Sequence, residues 1–446
     1  MTNAAADRSR QATVTTIAGT AIVIADMVGV GVFTSLGFQV KAVSSNFVIL
    51  FLWFAGGLVA LCGAFCYAEL SAMFPRSSGE YNFLTRAYSP GTGFLAGWLS
   101  ATVGFSAPVA LAAMAFGDYF KSIMPSAPPL VSGLIAIWLI SAFHLIGLRQ
   151  GSVFQIASTI LKLALIVAFI IAGFALGGAQ PVSFMPKAGD SSLIFSAPFA
   201  MSLVFVMYAY SGWNAATYIV SEIKDPQRSL PKALFMGTGT VIVLYLALNA
   251  VFLYTTPVAD LAGQLNVAQI VGTHIFNQSG GRIVGGLICL GLISTISAMM
   301  WIGPRVTMTM GEDLPMLRLF ARRSANGVPT TAISFQLVVA SLLLWTGSFE
   351  AVLDFIQFSL TFCSFLAVLG MVKLRFTHPD FPRPYRAWGY PLTPIVFLGA
   401  TALIMYYLIT VRPLQSFAGF LMMLAGLSIY AIGHVQQASA RRAPAE

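Results

Sequence analysis

The charged residues of this 446-residue chain fall into short clusters separated by long stretches that hold none, and that spacing constrains the fold more than any motif does. Only 9% of the residues are charged, against roughly a quarter in soluble domains. Between Arg10 and Lys41 there is a single charge, Asp26, and between Lys41 and Glu69 there is none. Further uncharged windows run 87–117, 122–148, 191–221, 233–259, 283–304, 324–349, 355–372, 387–411 and 413–440. The stretch 150–177 adds one more, interrupted only by Lys162. A helix needs roughly 20 apolar residues to cross the hydrocarbon core, and each window holds one such run. The uncharged stretch 261–281, LAGQLNVAQIVGTHIFNQSGG, is too rich in Gln, Asn and Gly to face lipid and reads as an outer loop. The expected fold is an all-α integral membrane protein of twelve transmembrane helices.

An even number of spans returns both termini to one side. Of the 24 Lys and Arg residues, 18 fall in segments on that side, from Arg8 and Arg10 through to Arg441 and Arg442. Lys41, Lys121, Lys187, Arg282 and Arg412 fall on the other, and Lys162 lies within a span. The positive-inside bias therefore places both termini in the cytoplasm. The net charge of +9 is this topology signal together with attraction to anionic lipid, and it calls for no nucleic acid. Cys62, Cys66, Cys289 and Cys363 all lie within spans, which points to neither a disulfide framework nor a structural zinc site. No outer loop carries a cysteine, which argues against a disulfide-linked partner subunit. The N-terminal stretch lacks a cleavable signal, since its first apolar run is long and continues into a span. A plasma membrane, or a bacterial inner membrane, is the expected location.

Two spans depart from the ordinary Leu/Ile/Val/Phe pattern. The first reads IVIADMVGVGVFTSLGF, where Asp26 is followed by Met27, Val28 and then Gly29-Val30-Gly31. The sixth reads FVMYAYSGWNAATYIV, where Ser211-Gly212 sits among Tyr208, Ala209, Tyr210, Trp213 and Asn214. The interruptions lie about 182 residues apart, and that offset maps the second span onto the seventh and, more loosely, the third onto the eighth. A five-span repeat is odd, so its second copy is inverted in the membrane. Matched glycine-interrupted spans in two halves are the best sequence pointer to a transporter binding site at the midplane. Glycine lets a helix unwind, and unwound backbone survives at that depth only inside protein or facing a cavity. Each break then offers amide N–H groups at one half-helix start and carbonyls at the other half-helix end. A zwitterion needs both, donors for its carboxylate and acceptors for its ammonium. Close helix packing is the competing reading for Gly-Val-Gly alone.

With these residues in view, the chain resembles the amino acid–polyamine–organocation superfamily, close to its L-type amino-acid-transporter branch. Gly29-Val30-Gly31-Val32-Phe33 resembles the first-helix Gly-Ser-Gly-Ile-Phe signature. Tyr67-Ala68-Glu69-Leu70, Met73-Phe74-Pro75-Arg76 and Gly79-Glu80-Tyr81 resemble the family's loop after span two. Tyr208 to Asn214, with Glu222-Ile223-Lys224-Asp225-Pro226 beyond, resembles span six and its cytoplasmic exit; Arg305 and Arg383-Pro384-Tyr385 fit as well. The resemblance implies a LeuT-type fold: a five-plus-five inverted repeat, then two peripheral helices, with spans one and six unwound. The implied division is a cytoplasmic tail over 1–12, repeats over 13–180 and 190–376, peripheral helices within 387–436, and a second tail over 437–446. It also implies a secondary active permease for amino acids, neutral ones first, with polyamines or cationic amino acids as the alternative. Coupling is expected to be sodium-independent exchange or proton-coupled uptake, so a proton is a candidate partner beside the amino acid and the bilayer. No enzyme activity and no cofactor are implied.

Carried over residue by residue, the resemblance assigns the substrate carboxylate to amides at Val30, Gly31 and nearby. It assigns the ammonium to carbonyls around Asp26, Met27 and Tyr208 to Ser211. Tyr208 stands where the family places an aromatic lid, and Lys162 where some members carry a lysine in place of the second sodium. A valine at Gly31 is expected to block the substrate's approach to the backbone. Two departures stand out: Val30 replaces the family's serine, and Asp26 stands where the family usually has a small or amide residue. A lysine in mid-span costs several kcal/mol, so Lys162 should face the interior, as a structural tether or a coupling group. Asp26 could neutralise Lys162, bind the ammonium or cap a half-helix. Glu69 and Glu222 read as loop hydrogen-bonders near cytoplasmic ends, and Trp301 as packing or pocket lining. No histidine pair sits at ligand spacing, so no metal is expected. A major-facilitator carrier would want a basic loop after span two, and a channel would want a selectivity loop or charge ring; neither is found.

Overall fold

A computed structural model describes residues 14–442 except 147 and 325, with backbone alone over 148–156 and 435–442. The expected tail 1–12, with Arg8 and Arg10, lies outside the described residues, as do 443–446 and the side chains of Arg149, Arg441 and Arg442. The first window holds two helices end to end, α1 (Thr16–Met27) and α2 (Val30–Ala42). Next come α3 (Asn46–Met73), short α4 (Glu80–Ala87) and α5 (Pro90–Leu99), which runs through a π-helical turn at Ser100–Gly104 into α6 (Ser106–Ile123). They are followed by α7 (Pro129–Ile146), α8 (Leu148–Leu176), short α9 (Asp190–Ile194) and α10 (Ala197–Ala209). A 3-10 stretch at Ala215–Glu222 leads to α11 (Pro226–Thr255), short α12 (Val258–Leu261) and long α13 (Val267–Asp313). After a second 3-10 turn at Pro315–Ala321 come α14 (Thr330–Trp345), α15 (Phe349–Thr377), α16 (Leu392–Val411) and α17 (Pro413–Arg442).

Several helices start where the sequence supplies a cap. Ser45, Ser89, Ser196 and Ser348 each accept an amide from the first turn of the helix they precede, satisfying a donor that the helix itself leaves free. Among the described residues, 10 runs are long and apolar enough to cross a membrane, with α1 and α2 counted together, and α5 with α6. The apolar helices α10 and α14 are shorter. Together these fill the twelve uncharged windows one for one.

Burial sorts the helices. In the apolar stretch of α1–α2, 83% of residues are buried, against 28% in α16 and in α17. The last two helices turn Leu403, Tyr406, Phe417 and Phe420 outward, as helices bathed in lipid do. The interior is built by α11 packed on α3 and α1, and by α13 packed on α6 and α8. This brings α1, α2 and α10 to the middle.

Two expectations need correction. The stretch 261–281 is not simply an outer loop, because residues 267–276 form a helical arm at the start of α13. Asn277 ends the arm with a left-handed backbone (φ 78°), and its side chain then accepts the Ser279 and Gly280 amides at 3.0 and 3.2 Å, capping the membrane-crossing part. The arm buries Val267, Ala268, Val271 and Gly272, so its Gln and Asn content reflects one wet face rather than irregular backbone. At the other end, α17 continues through 437–442, so the first part of the expected tail is helical.

Candidate functional site

The first break opens where α1 stops at Met27. Val28 still donates to Ile24 O at 2.8 Å, but Gly29 turns back onto Met27 O at 2.8 Å and α2 begins afresh at Val30. The cap residue Gly29 has no side chain to offer, so the amides opening the 13-residue α2 have no intrahelical acceptor. The freed carbonyls of α1 are taken by other helices. Lys162 on α8, 2% exposed, donates to Ala25 O at 2.9 Å, Val28 O at 2.5 Å and Thr295 Oγ1 at 3.3 Å. Thr295 on α13 lies 3.1 Å from Val28 O. Tyr245 on α11 places its hydroxyl 2.6 Å from Met27 O and 3.0 Å from Ala209 O, so one proton is shared between the two breaks.

The second break closes largely on itself. Tyr210 donates to Val206 O at 2.9 Å, and the Ser211 amide and hydroxyl reach Tyr208 O at 2.9 and 2.6 Å. Gly212 takes φ +95°, a conformation that side chains disfavour, and its carbonyl accepts Ala215 N at 2.9 Å. Tyr208 and Tyr210 are both buried, and Tyr210 packs beside Trp53 and Tyr245. Asn214 turns away from the first break and donates to Glu80 Oε1 at 2.8 Å. Glu80 also receives Tyr67 at 2.8 Å and the Tyr218 hydroxyl.

The breaks meet face to face. A Cβ on Gly212 would lie 2.7 Å from Asp26 Oδ2, and one on Gly31 would lie 2.6 Å from Ala209 Cα. Gly31 is therefore a point of closest helix approach in this conformation, and Gly29 touches Thr295 in the same manner at 3.1 Å. The expected block at Gly31 acts first on packing between α2 and α10. Asp26 is 4% exposed, and its Oδ1 is buried with no partner. No hydrogen bond or ion pair joins it to Lys162 among the described residues, although each is the charge that acts on the other. Behind Lys162 a cavity of about 380 Å³ lies among Phe33, Ile166, Phe169, Leu248 and Val284; lined almost wholly by carbon, it cannot satisfy a zwitterion.

The structure thus brings Asp26, Met27, Gly31, Ala209 and Gly212 together, whereas Trp213 packs on Tyr67 and Phe397 and Asn214 is spent on Glu80. Sequence reasoning missed Tyr245, Thr295 and the Glu80 cluster. The other charged residues settle elsewhere. Glu69 is a buried ion-pair partner: it holds Arg375 at 2.5 Å and accepts the Ala387 amide at 2.6 Å. Glu222 pairs with Arg305 at 2.6 Å, and Trp301 lies under that guanidinium and beside His144. His144 bonds Ser297 at 2.9 Å and His274 meets Asp260 at 3.1 Å. The four cysteines are buried and unpaired.

With α1–α2 and α10 interrupted at matched glycines around a buried acid and lysine, the chain is similar over most of its length to known amino acid carriers. It is 27% identical over 430 residues to the b(0,+)-type amino acid transporter 1 of Rattus norvegicus, covering 95% of this chain and 88% of the relative. It is 25% identical over 420 residues to the serine/threonine exchanger SteT of Bacillus subtilis, covering 92% and 94%. The large neutral amino acids transporter small subunit 2 of Homo sapiens is 24% identical over 426 residues, covering 92% and 78%. The amino acid permease family profile matches residues 14–432, and the chain belongs to that family, within the amino acid–polyamine–organocation superfamily.

Proposed function

We propose that this permease carries neutral amino acids across a plasma membrane, or a bacterial inner membrane, by alternating access and without sodium. The twelve apolar runs are read as twelve transmembrane helices with both ends cytoplasmic: five within 13–180, five inverted within 190–376, and two peripheral. The substrate head lies between the breaks, with its carboxylate on the amides of Val30 and Gly31 and with Tyr208 covering it. The observation that carries this reading is Lys162, whose ammonium rests on the carbonyls of Ala25 and Val28. A fixed cation there does the work of a mobile one, and an ionisable group at that depth is expensive enough to be retained for function. One relative is a serine/threonine exchanger and another a large neutral amino acids transporter by name, which favours neutral substrates and exchange over proton-coupled uptake. With its cysteines buried in spans, the chain works without a disulfide-linked partner.

Counterflow in proteoliposomes tests the reading. Vesicles loaded with unlabelled L-serine or L-leucine should accumulate the labelled amino acid well above protein-free vesicles, and a thermal-shift screen of the twenty amino acids should show stabilisation by those transported. Accumulation at the protein-free level for all twenty would overturn it.

A further inference from the structure

Several of the carbonyls that could hold a substrate ammonium are already in use. Ala25 O and Val28 O accept Lys162, and Met27 O accepts Gly29 N and Tyr245. At the second break Tyr208 O accepts Ser211 twice, Ala209 O is reached by Tyr245, and Gly212 O accepts Ala215 N. Asp26 O is packed against Gly212. Lys162 in turn has three protons and three acceptors, so it has none left for Asp26. Among the described residues, Asp26 Oδ1 is buried and unpartnered between the two breaks, the Tyr210 hydroxyl is likewise buried and unpartnered, and the amides that open α2 have no intrahelical acceptor. A buried carboxylate oxygen without a donor is costly, and a cation relieves that cost.

From this we infer that the side chain of Asp26 holds the α-ammonium of the substrate. The inference rests on the substrate site proposed above and deepens it. An α-amino acid carries ammonium and carboxylate on one carbon, matching an acid in the last turn of α1 and free amides in the first turn of α2. The site then selects for a free primary ammonium: acids bearing a hydroxyl in its place are rejected.

The test is a binding comparison in purified full-length protein. L-serine and L-leucine are each paired with the 2-hydroxy acid of the same skeleton, glycerate and 2-hydroxy-4-methylpentanoate. Wild type should prefer the amino acid by about 100-fold, the scale of losing a hydrogen bond between charged groups. Asp26→Asn should weaken the amino acid about 30-fold and the hydroxy acid less than about threefold, so the preference collapses. Asp26→Glu should regain part of it. Unchanged amino acid affinity in Asp26→Asn, or equal loss of both ligands, overturns the inference while leaving the site intact. If neither variant folds, wild type decides alone: hydroxy acid and amino acid binding equally well rules out a carboxylate–ammonium contact. If wild type binds no amino acid, the proposed function fails and this inference falls with it.

Discussion

At the first break the freed carbonyls are held from outside, by an ammonium from α8 and hydroxyls from α11 and α13. At the second, Ala209 O shares the Tyr245 hydroxyl but the others are turned inward, Ser211 onto Tyr208 and Ala215 onto Gly212, while Glu80 holds the exit through Asn214 and Tyr218. Reshaping the first break means moving three other helices or breaking a buried charge contact. Reshaping the second costs mainly local bonds, which re-form elsewhere in the same segment. On the proposed reading, the first break is therefore the fixed half of the site and carries its charges, and the second is the adaptable half and carries Tyr208 as its cover.

The largest effect should come from wedging the two apart. Gly31→Val places a side chain into Ala209, whose Cα is 2.6 Å from the Cβ position, and counterflow should fall to background although the protein still expresses. Lys162→Met keeps an apolar helix but orphans Ala25 O and leaves Val28 O only the Thr295 hydroxyl; at roughly 1–3 kcal/mol for an orphaned group, net uptake should drop about 30-fold. If the lysine also carries a proton, exchange should suffer less than net uptake. On the adaptable side, Tyr208→Ala should cost uptake about tenfold through lost covering area while Tyr208→Phe keeps it within about twofold; equal loss in both would point to the hydroxyl. Tyr245→Phe removes the one proton shared between the breaks and should lower uptake about fivefold. A loss there as large as that of Lys162→Met would erase the distinction between the two halves.

The spans and both breaks were legible because charge and glycine leave strong local marks: an uncharged window cannot be mistaken for a soluble helix, and Ser211-Gly212 stands out among aromatics. The groups that hold the breaks were not legible. Hydroxyls in spans usually bond their own helix, as Thr34 does to Val30 O, Ser141 to Ile137 O and Thr255 to Val251 O. Nothing in the local sequence distinguishes Thr295 or Tyr245, which reach across, from those. Asn214 looked like a ligand group because its partner Glu80 lies 134 residues away. The helical arm before Asn277 was hidden by its wet face. Lys162 was legible as an interior charge, but which carbonyls it holds, Ala25 and Val28, depends on the register of α8 against α1 and is set only by packing.

The central claim is that Lys162 is the fixed cation of the first break, so no sodium is needed there. Initial uptake by wild-type proteoliposomes, measured at fixed pH in sodium and again with choline in its place, tests this most directly. Rates equal within about twofold are expected, because the ammonium already occupies the carbonyls that a sodium ion would need. A tenfold stimulation by sodium would contradict it and return Lys162 to the role of a structural tether.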